Sequence, residues 1–155
     1  MRKPPPAPRI PDVGQGKRGE AGHLGYLLRQ ASLAWRARME RALAELAVTP
    51  PQFATLTMID AYPGLSSADL ARASLLTPAT VAGIVANLKR AGRITARPHP
   101  VHGRILRLEL TAKGLALLAR CKPRVYGLEA ELTDGMSTAE EIAVRRWLAR
   151  VASAT

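Results

Sequence analysis

Cysteine is nearly absent from this 155-residue chain, where Cys121 stands alone. An intrachain disulfide framework is excluded, and a reducing compartment is the expected setting. Aromatic residues make up only 4%, so a core has to rest on aliphatic packing. No apolar run reaches the ~18 residues of a membrane-spanning helix. The basic N-terminus lacks the apolar stretch of a secretory signal, and by elimination the expected location is the cytoplasm. The chain has no glycine-rich phosphate loop, nucleophile motif or metal triad, so neither an enzyme nor a cofactor is expected. Acidic residues are scarce too: 12 against 23 Lys and Arg, a net charge of +11. That imbalance favours a polyanionic partner, most often nucleic acid. The bias to Arg adds weight, since its fork matches phosphate and guanine.

What is present is a helical pattern. Residues 1–22 are rich in Pro, Gly and basic side chains without apolar periodicity, which predicts an extended or disordered arm. From His23 to Ala47, Leu24, Leu27, Leu28, Ala31, Trp35, Met39, Ala42, Leu43 and Leu46 recur at three- and four-residue steps, the period of an amphipathic helix. Thr49 before Pro50 is an N-cap signal opening a second helix with Phe53, Leu56, Ile59 and Tyr62, ended by Pro63-Gly64. Ser66 or Ser67 caps a short third helix. Thr77-Pro78 opens a fourth, which Gly92 stops.

Two strands follow, Ile94 to Arg97 and the alternating Leu106–Leu110 run, joined by Pro98-His99-Pro100-Val101-His102-Gly103. Thr111 caps a fifth helix carrying Leu115, Leu118, Val125, Leu128 and Leu132, with a bend expected at Pro123. Ser137 and Glu140 form a capping box for a sixth, with Ile142, Trp147, Leu148 and Val151 on its apolar side.

This order predicts a mainly α fold with a minor β part, a winged helix-turn-helix with flanking helices: α1-α2-α3-α4, a β-hairpin wing, α5 and α6. Val81, Ile84, Val85 and Leu88 of the fourth helix should face the core. Thr77, Ala79, Thr80, Gly83 and Asn87 face the other way, a small polar surface able to approach base edges. Thr80 has a hydroxyl and a methyl to offer. Thr77 and the free N–H groups of the first turn suit a phosphate, and Ser66, Ser67 and Pro78 at the helix starts are further candidate DNA contacts. Asn87, Lys89 and Arg90 at the other end can hold the DNA backbone. The wing adds Arg97, His99, His102 and Arg104, with Arg104 the first candidate for a narrow minor groove. A solvated amphipathic helix is the plainer alternative. The short helix before it, the basic hairpin after it and the net charge weigh against that.

The stretch Val48-Thr49-Pro50-Pro51-Gln52-Phe53-Ala54-Thr55-Leu56, then Ala68-Asp69-Leu70-Ala71, Thr80-Val81 through Leu88 with Gly92, and Arg104 followed by Leu108-Glu109-Leu110-Thr111 and Gly114 resemble, in this order and spacing, the multiple antibiotic resistance regulator (MarR) family. The resemblance covers about Leu24 to Val151. It implies one domain over 23–155, with the winged helix-turn-helix at 48–111 and dimerisation helices at 23–47 and 112–155. It further implies a homodimeric repressor on a pseudo-palindromic operator, with Leu24, Leu27, Leu28, Leu128, Leu132, Trp147, Leu148 and Val151 in the dimer interface. A small aromatic or phenolic effector is the implied second partner, in a pocket using Trp35, Met39, Met58 and Tyr62, with Arg38 to meet a carboxylate.

This chain departs from the family at the wing, where two usual acidic residues are His99 and His102. Their protonation below about pH 6.5 should strengthen DNA binding. His99-x-x-His102 alone falls short of a metal site, and Cys121 does not match the family's peroxide-sensing position. The competing functions are a DNA-binding architectural protein or activator without a ligand, and a module binding another protein through the dimer helices.

Overall fold

The computed structural model describes residues 10–98 and 105–153. These form two compact units divided after Arg38. The winged helix-turn-helix and its flanking helices follow the order read from the sequence: α1 (Leu24–Leu43), α2 (Pro50–Ala61), α3 (Ser67–Ser74), α4 (Pro78–Arg90), β1 (Ile94–Pro98), β2 (Leu106–Leu110), α5 (Ala112–Leu132) and α6 (Thr138–Ser153).

In the first unit, residues 10–22 are neither extended nor shapeless, contrary to the composition-based expectation. Gln15 N–H bonds Asp12 O at 3.0 Å, Arg18 N–H bonds Gln15 O at 2.9 Å, and Gly22 N–H bonds Gly19 O at 2.8 Å. Arg18 Nη1 also donates to Pro11 O at 2.9 Å. The turns pack backbone against backbone: a Cβ on Gly19 would lie 2.2 Å from Gly14 O. Residues 1–9 of the expected arm lie outside the described residues.

α1 ends earlier than the periodicity predicts. After Leu43 the chain tightens into a 3₁₀ turn, Ala44–Leu46, and Ala47 reverses it with φ +50°. The second unit's core is aliphatic. Among the described residues its largest fully buried side chains are Leu43, Leu56, Leu70, Leu108, Leu118 and Cys121, one each from α1, α2, α3 and β2 and two from α5. Burying each such leucine contributes ~1.5–3 kcal/mol over leaving it exposed.

Local caps set the helix starts. Thr49 and Gln52 form a reciprocal capping box at α2, with Thr49 N–H donating to Gln52 Oε1 at 3.0 Å. Ser66, not Ser67, caps α3: its N–H donates to Asp69 Oδ2 at 2.9 Å, and Asp69 N–H donates to Ser66 Oγ at 3.2 Å. Helix α4 stops at Gly92 with φ +66°, where Arg93 N–H reaches Leu88 O and Gly92 N–H reaches Lys89 O, both at 2.9 Å.

The hairpin is antiparallel, pairing Ile94 with Leu110 and Pro98 with Leu106. Ile94 and Leu108 are buried on one face, while Arg97, Arg107 and Glu109 share the other. β1 takes in Pro98, one residue beyond the expected end. Leu108 N–H also donates to Leu65 O at 2.8 Å, so the α2–α3 loop pairs with β2 from its other edge.

Thr111 joins α5 to the end of α4. Its hydroxyl donates to Gly92 O at 2.7 Å, its N–H bonds Arg93 O at 3.1 Å, and it accepts from Gly114 N–H at 3.1 Å. Gly114 is required here because a Cβ would stand 2.0 Å from Arg93 O. α5 runs through Pro123 as one helix. Its buried residues are Gly114, Leu117, Leu118, Cys121 and Val125, while Leu115 is half exposed. Two ion pairs hold α5 to the rest of the unit: Lys122 to Asp60 of α2 at 2.8 Å and Arg124 to Glu45 at 2.9 Å. Arg124 also donates to Ala42 O at 3.2 Å.

Candidate nucleic-acid interface

α4 has two unlike sides. Val81, Val85 and Leu88 are buried, and Ile84 is half-buried beside them. Opposite, Thr77, Pro78, Ala79, Thr80, Gly83, Asn87, Lys89 and Arg90 are all exposed, as the apolar spacing predicts. Ala82 and Ala86 are exposed as well, so this surface is low and close to the helix backbone.

Its polar groups are ordered rather than loose. Thr80 N–H donates to Thr77 Oγ1 at 3.2 Å, and the two threonine hydroxyls lie 2.9 Å apart. At the far end Arg90 Nη1 donates to Asn87 Oδ1 at 3.0 Å. In α3, Ser67 is exposed while Ser66 is half-buried as the cap. Hydrogen bonds from Ser66 hold the Asp69 carboxyl below its ordinary pKa, with Arg72 adding to the effect. Arg72 and Asp69 form an ion pair on the exposed side of α3.

On the ribbon, Arg97 Nε lies 3.1 Å from Glu109 Oε2. The sequence reading placed Arg97 in the interface and missed this partner. The available signal was strand alternation, which puts residues 97 and 109 on one face. His99, His102 and Arg104 lie outside the described residues.

A scan against family models matches residues 48–105 to the MarR family. The chain is 36% identical over 131 residues to the HTH-type transcriptional repressor Rv2887 of Mycobacterium tuberculosis, an alignment covering 84% of this chain and 94% of that one. The chain belongs to the MarR family. A solved structure of Rv2887 in complex with salicylic acid superposes with a TM-score of 0.65 at 34% identity, covering 85% of this chain and 98% of that one. The transcriptional repressor CouR bound to a 23-mer DNA duplex gives a TM-score of 0.78 at 29% identity, covering 85% and 94%. The segment matched to the MarR model takes in α2, α3, α4 and β1, and so includes the whole exposed face of α4.

The residues expected to hold an effector are spread over the two units. Trp35 and Arg38 lie in the first, half-buried on α1; Met39, buried, and Met58, half-buried, lie in the second. Tyr62 follows α2 as its C-cap and is 62% exposed, outside the apolar face assigned to it, because the helix ends at Ala61. A cleft of about 390 Å³ opens elsewhere, lined by Ile59, Asp60, Pro63 and Gly64, by Arg107 to Leu110 of β2, and by Leu115. Sequence periodicity could not flag it, since its walls come from an element end, a strand and a helix start. Asp60 in its wall raises the pKa of Lys122 through their ion pair.

Among the expected interface residues, Leu27, Leu28, Leu128 and Trp147 are half-buried, and Leu24, Leu132, Leu148 and Val151 are exposed. α6 has no buried residue. Among the described residues no helix is long and apolar enough to cross a membrane.

Proposed function

We propose that this chain is a sequence-specific transcriptional repressor of the MarR family, acting as a cytoplasmic homodimer on a pseudo-palindromic operator. The observation that carries the reading is the exposed, low and polar face of α4, ending in Lys89 and Arg90 beside a basic ribbon. Major-groove readout needs a helix of this kind, and twofold symmetry sets two of them ~34–36 Å apart. The dimer is supported by Leu132, Ile142, Val144, Leu148 and Val151, apolar side chains that α5 and α6 leave exposed. The effector is a small aromatic acid or phenol, as with the salicylic acid bound by the relative Rv2887. The cleft between α2, β2 and α5 has the size of a small-molecule site, and Met58 belongs to the helix that forms its wall.

The deciding measurement is binding to DNA from the chain's own promoter against random DNA, over a salt series. Any basic protein gives a slope of ~−0.9 per phosphate neutralised, so the slope does not decide. A specificity ratio above ~10³ at one salt is expected. A ratio near one overturns the reading in favour of an architectural protein. Release of the operator complex by salicylate separates a ligand-responsive repressor from a regulator without an effector.

A further inference from the structure

We propose that Thr80 reads a thymine through its methyl group, so that each operator half-site carries a thymine whose C5-methyl packs there. This deepens the regulator reading above and rests on it. Thr80 is exposed in the first turn of α4. Its hydroxyl lies 2.9 Å from that of Thr77. Thr77 Oγ1 is fixed by its capping bond with Thr80 N–H, so it cannot follow a ligand without uncapping the helix.

Two heavy groups branch from the Thr80 Cβ. The oxygen lies 2.9 Å from the cap hydroxyl of Thr77, and on this inference the methyl is the group that meets the base. One turn on, Gly83 raises no side chain, and a Cβ there would meet nothing within 4 Å. Ala79 beside Thr80 is equally low. A base edge can therefore reach the Thr80 methyl. In the major groove only thymine presents a C5-methyl. A hydroxyl, which both donates and accepts, distinguishes bases poorly.

The test is a deoxyuridine scan of the operator found at the chain's own promoter, with affinities measured by fluorescence anisotropy at fixed salt. Deoxyuridine keeps every hydrogen-bonding atom of thymine and lacks only the methyl. One symmetric pair of thymines is expected to matter, at about fourfold per half-site and about fifteenfold for both, the effect of burying one methyl each. Thr80→Val keeps the methyl and should bind like wild type while staying sensitive to deoxyuridine. Thr80→Ser keeps the hydroxyl and should lose the same factor on the thymine operator, with deoxyuridine then making no difference. Melting curves by circular dichroism check that both variants fold, and the wild-type scan decides alone if one does not. Silence at every thymine, or retention by Thr80→Ser with loss by Thr80→Val, overturns the inference. A wild-type protein that does not prefer its promoter over random DNA overturns the regulator reading itself, and this inference with it.

Discussion

Gly114 and Cys121 show how much single positions on α5 carry. At Gly114 the obstacle to a side chain is backbone, the Arg93 carbonyl, which cannot swing aside as a rotamer would. Gly114→Ala is expected to cost about 2 kcal/mol through overpacking, read as a lowered urea midpoint with unchanged slope. Cys121 is fully buried, and desolvation raises its thiol pKa against the opposing pull of Arg120, Arg124 and Arg93. The folded thiol stays protonated where an unfolded one ionises. Its contribution to stability is therefore complete below the ordinary thiol value of 9.0 and is lost as pH rises through the folded value. A thiol-alkylating reagent at pH 8 should modify Cys121 only at the rate of unfolding; fast modification of the native protein would contradict this burial. At this scale the sequence is legible where the cause is local. Thr49, Ser66, Thr77, Thr111 and Ser137 all announce helix starts, because a cap needs only residues three positions apart. The need for glycine at 114 depends on a carbonyl 21 residues away, and no local pattern carries that.

At the scale of elements, the capping box of α3 is a part that acid weakens. The Asp69 carboxyl is lowered by its Ser66 hydrogen bonds, so the capping box contributes stability above the carboxyl's ordinary pKa of 3.8 and loses it as pH falls through the lower folded value. Asp69→Asn should flatten the acid limb of a stability–pH curve, measured by urea unfolding between pH 2 and 6; an unchanged limb would assign acid sensitivity elsewhere. The sequence also carries His99 and His102 between β1 and β2, and an imidazole of ordinary pKa, about 6.5, would add positive charge there in mild acid. Operator binding should be tighter at pH 6 than at pH 8, and substituting His99 and His102 together by Gln should abolish the difference. Helix periods in α2 and α4 were readable because each buries one stripe within a single unit. The period of α1 was readable too, but not its end, where Leu43 gives way to a 3₁₀ turn and Ala47 takes a left-handed conformation. Residues 10–22 misled because composition reports chain flexibility and not the turns that hydrogen bonds between glycine backbones can close.

At the scale of the whole molecule, α6 leaves Ile142, Val144, Leu148 and Val151 exposed, an apolar surface that a self-sufficient fold would cover. Leu148 is exposed and takes no part in the core, so Leu148→Glu should leave helix content and melting of the monomer intact. It should convert dimer to monomer by sedimentation and weaken operator binding at least tenfold, since one winged unit alone engages one half-site. A variant that stays dimeric would move the interface off this face. α5 links both roles: Thr111 and Gly114 fasten its first turn to the end of α4, while Leu128 and Leu132 lie near its last. A helix advances 1.5 Å and rotates 100° with each residue. One alanine inserted after Val125 would therefore shift the phase between the two DNA-reading heads without touching any residue that reads DNA. The operator such a variant selects should differ in the number of base pairs between half-sites and keep the half-site sequence. On the dimeric reading proposed above, the length of α5 would be a ruler, and the spacing of the half-sites what it measures.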